Sequence, residues 1–408
     1  MVLPINNLRS FFSFQGLLLF FSLIAAWPCV FYLMGILPDF KINLLVLFVS
    51  LVGYCVYLHR IKPLTIQRPI LIIILTQVMI WVAYSIFYFD SSYYTRLLSI
   101  SIATLVMIAD SNSNVPKFSK IFVYWVTAQS FLSAVGFLLC ILGLIQPVST
   151  FIEMDGREGF NFLLFTTNTY MEIFVRPAGF FDEPGALACW GVYALVLNKL
   201  FLKNKYIEYT LLICLTVTLS IAFYIQAILY FFLFYKDNIL KLLFIAIVSV
   251  FSIGFIVSQD ELFYDAIIGR IQYDESQGTI SGDNRADLSK NAFKVFAQSP
   301  IVGIGAKNLA ENYSEINSNF FTYFASDGLV GQIVTWMPFV YAFFVLGKGR
   351  REVRYGIIIL SVGMLQRPFD FCQLLFPLTL YNMLNTLIVE EQSDDVEYGY
   401  DNDCVYEE

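Results

Sequence analysis

Between residues 14 and 389 the chain is a succession of apolar runs of about 15–25 residues with almost no charge inside them, long enough to cross a hydrocarbon layer about 30 Å thick. No other feature limits the fold as severely. Backbone N–H and C=O groups inside a bilayer must find partners within the segment or in a closed barrel, and runs without polar–apolar alternation suit helices. The composition agrees, since 58% of the 408 residues are apolar and 14% are charged, against about 45–50% and about 25% in soluble domains. The sequence therefore reads as an all-α polytopic membrane protein. That excludes a soluble enzyme, a DNA-binding protein and a secreted disulfide scaffold.

About twelve transmembrane helices are expected, near 14–37, 41–58, 69–88, 97–110, 121–145, 185–201, 206–220, 222–235, 239–257, 323–346, 355–366 and 371–389, forming one domain over 1–389. The first run is too long for the apolar part of a signal peptide and lacks a small-residue cleavage site, so it reads as a retained helix. Lys and Arg in short loops set the orientation. With Arg9 in the cytoplasm, that side also holds Arg60, Lys62, Arg68, Lys117, Lys120, Lys199, Lys203, Lys205, Lys236, Lys241, Lys348, Arg350, Arg351 and Arg354. The short outer loops and their edges hold Lys41, Arg96 and Arg367.

Two long polar loops, about 146–184 and 258–322, then fall on the outer side. Loops of this length are uncommon without a function, and each is expected to contain short helices near the membrane surface. Residues 390–408 carry nine acids and no base, so the net charge of −7 belongs to this tail, which is expected to be cytoplasmic and disordered. Without it, 25 bases face 23 acids. Six of the seven cysteines lie in or at the edge of apolar runs and no pair has metal-ligand spacing, which argues against disulfides and zinc.

The first long loop ends Arg176-Pro177-Ala178-Gly179-Phe180-Phe181-Asp182-Glu183-Pro184-Gly185 and enters a helix at Ala186. Glycines permit close backbone approach, a helix N-terminus favours anions, and an arginine adds a planar fork suited to phosphate. A plain helix entry, with Asp182 or Glu183 near the N-cap, is the competing reading. The second loop contains Asn284-Arg285-Ala286-Asp287, then Ser299-Pro300-Ile301-Val302-Gly303-Ile304-Gly305, then Asn317-Ser318-Asn319-Phe320-Phe321, and closes on Asp327-Gly328-Leu329-Val330-Gly331. Its Gly-x-Gly has no βαβ unit around it and is not a dinucleotide fingerprint.

Together these motifs resemble bacterial O-antigen polymerases of the Wzy type and their relatives, the O-antigen ligases. The resemblance covers about 176–191 and 285–331, with topology alone elsewhere. It implies about twelve helices, an inner-membrane location with both termini cytoplasmic, and glycosyl transfer at the periplasmic face. The implied substrates are oligosaccharide repeat units on undecaprenyl pyrophosphate. Membrane lipid and a chain-length regulator are the other partners implied, and nucleic acid is not one. Ligases carry a His-Asn pair where this chain has Ser318-Asn319, and the only histidine, His59, falls in a cytoplasmic loop. That favours polymerase over ligase.

In such a reaction an acceptor hydroxyl attacks the anomeric carbon of the donor and expels undecaprenyl pyrophosphate, so cations at the leaving diphosphate give the largest gain. The only Asp-x-Asp triplet, Asp401-Asn402-Asp403, lies in the tail, and a metal-free, cofactor-free site is expected. Arg176 and Arg285 are the first candidates for the diphosphate, with Arg367 and Arg270 as further ones. Without a usable histidine the base is expected to be a carboxylate: Glu183 or Asp182 first, Asp327 as the alternative, with helix capping the competing role. Asn317 and Asn319 are candidates for holding glycan. A lipid-linked oligosaccharide flippase is the rival from another class, and a capsule or exopolysaccharide polymerase the rival within the family. Few ionisable residues sit inside the spans, which disfavours the transporter.

Overall fold

The structure is a computed structural model that describes residues 14–403 except 27–28, 38, 62–63, 112–116, 153–156, 172–173, 237–272, 275–278, 281–284, 314–315 and 317–318. Among the described residues, six segments are long and apolar enough to cross a membrane: Phe40–Ile61, Arg68–Tyr88, Ser91–Asp110, Phe118–Ile141, Pro184–Leu202 and Thr322–Leu346. The protein is a mostly helical, multi-pass membrane protein. The chain divides into two compact units, Met1–Tyr124 with Ile333–Arg354 and Phe369–Glu408, and Trp125–Gln332 with Tyr355–Pro368.

The first unit contains α1 (Phe14–Ile24), α2 (Phe40–Ile61), α3 (Arg68–Tyr88) and α4 (Ser91–Asp110). The expected span 14–37 is helical only through Ile24, with turns after it. Helix α4 is the hub, packing against α2, α3 and the final helix of the chain, Leu375–Asp403. Its buried positions Tyr93, Arg96, Ile100, Ala103 and Met107 recur every three or four residues and draw one stripe. The acid Asp90 caps it, accepting the Ser92 N–H at 2.9 Å.

Arg96, expected at the outer edge of a span, is instead 1% exposed inside this unit. Its Nε and Nη2 donate to Asp370 Oδ2 at 3.2 and 2.8 Å. Its guanidinium lies 4.4 Å from the Trp81 ring centre and 4.8 Å from that of Tyr93. Asp370 in turn accepts the Cys372 N–H. A second buried polar contact joins α3 to the final helix: Gln77 donates to the Val334 carbonyl at 3.1 Å and accepts from the Tyr381 hydroxyl. The final helix runs on to Asp403, so much of the acidic stretch expected to be disordered is helical. Extending a formed helix avoids the cost of nucleating a new one.

The second unit opens with the end of α5 (Lys117–Ile141) and then the first long loop. That loop is β-structure rather than the expected short helices. Strands β1 (Ser149–Ile152), β2 (Glu158–Asn161) and β3 (Thr166–Thr167) form an antiparallel sheet in the order β1-β2-β3, and β4 (Tyr170–Met171) pairs with β5 (Phe174–Val175). Its alternating Phe, Thr and Ile residues suit a half-buried pleat better than a helix. Phe162, Phe165 and Val175 pack on Phe137 and Cys140 of α5, which anchors the sheet to that helix.

Helix α6 (Pro184–Leu197), prolonged by a wider turn over Asn198–Leu202, is the buried centre of this unit. It packs against α7 (Lys205–Cys214) and α8 (Ile221–Phe234). These two helices fall where spans 206–220 and 222–235 are expected, but at 10 and 14 residues they are shorter than the about 20 that a crossing needs. Gly191 of α6 seats the Leu215 side chain, which a Cβ there would displace. At one end of these helices Glu208, 3% exposed, accepts from the hydroxyls of Tyr230 and Tyr235 at 2.5 Å each and from Lys199 at 3.4 Å. The expected span 239–257 lies outside the described residues. Strands β6 (Tyr273–Asp274) and β7 (Thr279–Ile280), then α9 (Arg285–Phe296), α10 (Ala306–Asn312), α11 (Thr322–Tyr341), α12 (Arg351–Gln366) and the final helix, α13, complete the described elements.

Breaking a buried ion pair on one side strands the other charge and costs about 3–5 kcal/mol. Arg96→Ala and Asp370→Ala are each expected to lower the unfolding free energy in mild detergent by that order. The double replacement Arg96→Leu/Asp370→Leu should lose less than either. A single replacement within about 1 kcal/mol of wild type would contradict a dry pair.

Candidate functional site

The segment Arg176–Glu183 is held on three sides before it enters α6. Its backbone pairs with the β3 edge: the Ala178 N–H donates to the Thr166 carbonyl at 2.7 Å and the Thr166 N–H to the Gly179 carbonyl at 2.6 Å. From α5, the buried Gln129 accepts the Phe180 N–H at 2.9 Å. Phe181, fully buried, meets Trp125 edge-on. A turn fixed this well delivers Asp182 and Glu183 to the mouth of α6 in one arrangement.

Glu183 is the N-cap residue of α6 by backbone conformation, yet its side chain makes no capping bond. It turns to two arginines instead. Its Oε1 pairs with Arg367, which follows α12, and its Oε2 lies 3.6 Å from Arg157, just before β2. Asp182 Oδ2 is 4.0 Å from Arg367 Nη2, and Asp182 Oδ1 accepts the Glu183 N–H at 3.0 Å. Gly185 keeps the space beside them open, since a Cβ there would stand 3.2 Å from Arg367 Nη1. Two acids and two bases thus meet at one helix entry, the bases coming from distant parts of the sequence.

Of the predicted residues, the structure brings together Asp182, Glu183 and Arg367. Arg176 is close in sequence but turned away: its Nε and Nη2 donate to the carbonyls of Thr218 and Leu219 at 3.1 and 3.2 Å, closing the short 3-10 turn after α7. Basic side chains satisfy orphan helix-end carbonyls in this way. Arg157 was not predicted. Its context, Asp155-Gly156-Arg157-Glu158-Gly159, reads as an ordinary polar turn, and only the folded sheet carries it to Glu183. Gln129 was missed as well; a glutamine in mid-span was the available signal.

The second loop resolves into a different device. Arg285 opens α9, and its side chain lies outside the described residues, as do Arg270 and Asn317. Asn319 is buried with its amide engaged locally: Nδ2 donates to the Ile316 carbonyl at 2.5 Å, and Oδ1 accepts the Phe321 N–H at 2.9 Å. That arrangement starts α11. Asp327, 2% exposed, sits at a break in α11 where Gly328 adopts φ 62°.

The Ser299–Gly305 turn docks into this break. The N–H groups of Ile304 and Gly305 donate to the carbonyls of Ala325 and Ser326, both at 2.9 Å. Those of Leu329 and Val330 donate to Pro300 and Ile301 at 2.9 and 3.0 Å. Gly303 and Gly328 stand at the crossing, and a Cβ on either would collide with backbone of the other segment. The Gly-x-Gly and Asp-Gly motifs are thus two halves of one backbone contact.

What these elements define is a multi-pass membrane protein with an arginine-flanked carboxylate pair at the entry of a buried helix. Residues 209–329 match the family model described as O-antigen ligase, consistent with the O-antigen polymerase and ligase family. The match runs from α7 to the break in α11, taking in Arg285 and the Ser299–Gly305 turn. Asp182, Glu183, Arg157 and Arg367 lie outside it. No curated protein matches the chain significantly.

The crossing yields a graded prediction. Gly143→Ala places a side chain in open space at φ 68°, costing about 1–2 kcal/mol of left-handed strain. Gly303→Ala, at φ 76°, must also push back Ser326 and Asp327, and its loss is expected to exceed about 3 kcal/mol. Equal unfolding midpoints for the two variants in detergent would contradict the packing.

Proposed function

We propose that this chain is a polysaccharide polymerase of a bacterial inner membrane, joining oligosaccharide repeat units carried on undecaprenyl pyrophosphate. The match of residues 209–329 to the O-antigen ligase family carries the reading. The polymerase assignment draws on the single histidine, His59 on the last turn of α2, and on Ser318 standing before Asn319 where ligases carry histidine. The apolar runs support about twelve spans, and the asymmetry of Lys and Arg supports cytoplasmic termini and periplasmic loops over 146–184 and 258–322.

In the proposed reaction an acceptor hydroxyl attacks the anomeric carbon of the donor glycan. The bond to the diphosphate breaks with its electrons passing to the leaving oxygen. Arg367 and Arg157 are the cations best arranged to meet that charge, since both already converge on one anion. Guanidinium forks bind two phosphate oxygens at once and stay charged beside a membrane. Arg176 contributes by fixing the turn after α7, and Arg285 and Arg270 remain proposed diphosphate contacts from the second loop. Glu183 or Asp182 takes the hydroxyl proton, with Asp327 confined to the helix break. No metal is required in this scheme.

Losing a guanidinium at the leaving group costs roughly two to three decades in rate. In a strain deleted for this gene, wild type should restore a ladder of polymerised surface glycan. Arg367→Ala, at equal protein level, should leave single repeat units, and Arg367→Lys should give short chains. A deletion that loses even the single capped unit would show ligation or flipping to be the missing step and overturn the polymerase reading.

A further inference from the structure

Glu183 makes contacts that a phosphate group would make. Its two carboxylate oxygens are divided between two guanidiniums, Oε1 to Arg367 and Oε2 to Arg157. It is the N-cap residue of a 14-residue helix, and its side chain does no capping. Helix N-termini and paired guanidiniums are each general anion binders. The contact is not sealed: the side chains of Arg157, Glu183 and Arg367 are 53%, 26% and 23% exposed. By contrast, the Arg96–Asp370 pair is 2% and 11% exposed and held by aromatic rings. A dry pair is a fixed part of its unit, whereas a wet pair at a helix mouth can exchange its anion.

We propose that Glu183 is the resident anion of a diphosphate site, filling the place between Arg157 and Arg367 until a lipid-linked diphosphate displaces it. Asp182, beside Arg367, stays as the fixed carboxylate that orients this guanidinium. Among the described residues, Asp182 and Glu183 balance Arg157 and Arg367 in formal charge, so a diphosphate that takes both guanidiniums must move Glu183 aside. A Cβ at Gly185 would stand 3.2 Å from Arg367 Nη1 and 3.7 Å from Glu183 Oε1, so glycine there crowds neither side chain.

Resting on the polymerase reading, displacement also gives Glu183 its second role. Released from both arginines, it accepts the proton of the acceptor hydroxyl as that oxygen bonds to the anomeric carbon. The glycosidic bond to the diphosphate breaks, and its electron pair stays on the diphosphate oxygen that Arg157 and Arg367 now hold. The base becomes available only when the leaving group is in place, which protects the donor from wasteful hydrolysis.

The test uses the purified full-length protein in detergent, with inorganic pyrophosphate and farnesyl diphosphate as probes in titration calorimetry. Removing a resident anion should tighten binding, so Glu183→Gln is expected to bind both probes roughly tenfold more tightly than wild type. Glu183→Asp, which keeps the charge but withdraws it, should tighten binding by a smaller factor. Adding Arg157→Ala to Glu183→Gln should abolish the gain. Farnesyl diphosphate should bind more tightly than pyrophosphate; equal affinity would overturn the lipid-linked assignment. Unchanged or weaker binding in both Glu183 variants would overturn the resident-anion role, even where complementation still supports a polymerase. Tighter binding by Glu183→Gln with turnover reduced at least about 100-fold is the expected signature of the second role, and tight binding with normal turnover would remove it.

Discussion

Backbone groups that leave a helix inside an apolar layer must find new partners, and this requirement governs where the chain can be irregular. At Gly328 helix α11 stops and restarts. The carbonyls of Ala325 and Ser326 before the break and the N–H groups of Leu329 and Val330 after it pair with the Ser299–Gly305 turn. The contact is backbone to backbone, so only glycine fits at its two closest points, Gly303 and Gly328. The same logic places Arg176, whose guanidinium closes the carbonyls of Thr218 and Leu219 where the turn after α7 ends. A residue type associated with phosphate binding is here first of all a solution to a helix end.

Once the backbone is satisfied, the charges divide by their access to water. Arg96–Asp370 is buried, and so are Glu208 and Tyr230, with Glu208 accepting from Tyr230 and from the part-exposed Lys199 and Tyr235. Such groups fix geometry, since removing one partner strands another. Glu183, Asp182 and Arg367 are part-exposed and Arg157 is exposed, and they meet where the start of β2, the mouth of α6 and the end of α12 converge. Part-exposed charges can change partners; in the second unit the frame around them is made of backbone and amide contacts. The Gln129–Phe180 bond and the Thr166–Gly179 pairing form that frame around α6.

Much of this was legible in the sequence. Uninterrupted apolar runs gave α2, α3, α6 and α11 nearly to their ends, because in a membrane segment the apolar run and the helix coincide, whereas α4 starts six residues before its run and α5 is offset by four. The Asp182-Glu183-Pro184 entry was legible because proline at a first helical turn marks a start. The β-structure of the first loop was not, since strands of two to four residues take their register from the α5 surface they cover. Arg96 was misplaced because polarity points to a helix edge unless a partner such as Asp370, far along the chain, is known. Arg157 was invisible for the same reason. The glycines of the second loop were noticed, but their shared purpose needed both backbones in view.

The most direct test of the account is chain growth by the purified protein in liposomes supplied with one lipid-diphosphate-linked repeat unit and no other acceptor. The expected result is glycan lengthening on the lipid carrier, with one carrier diphosphate released for each unit added. No bond formation until a different acceptor is supplied, or movement of the lipid-linked unit across the bilayer without bond formation, would contradict it.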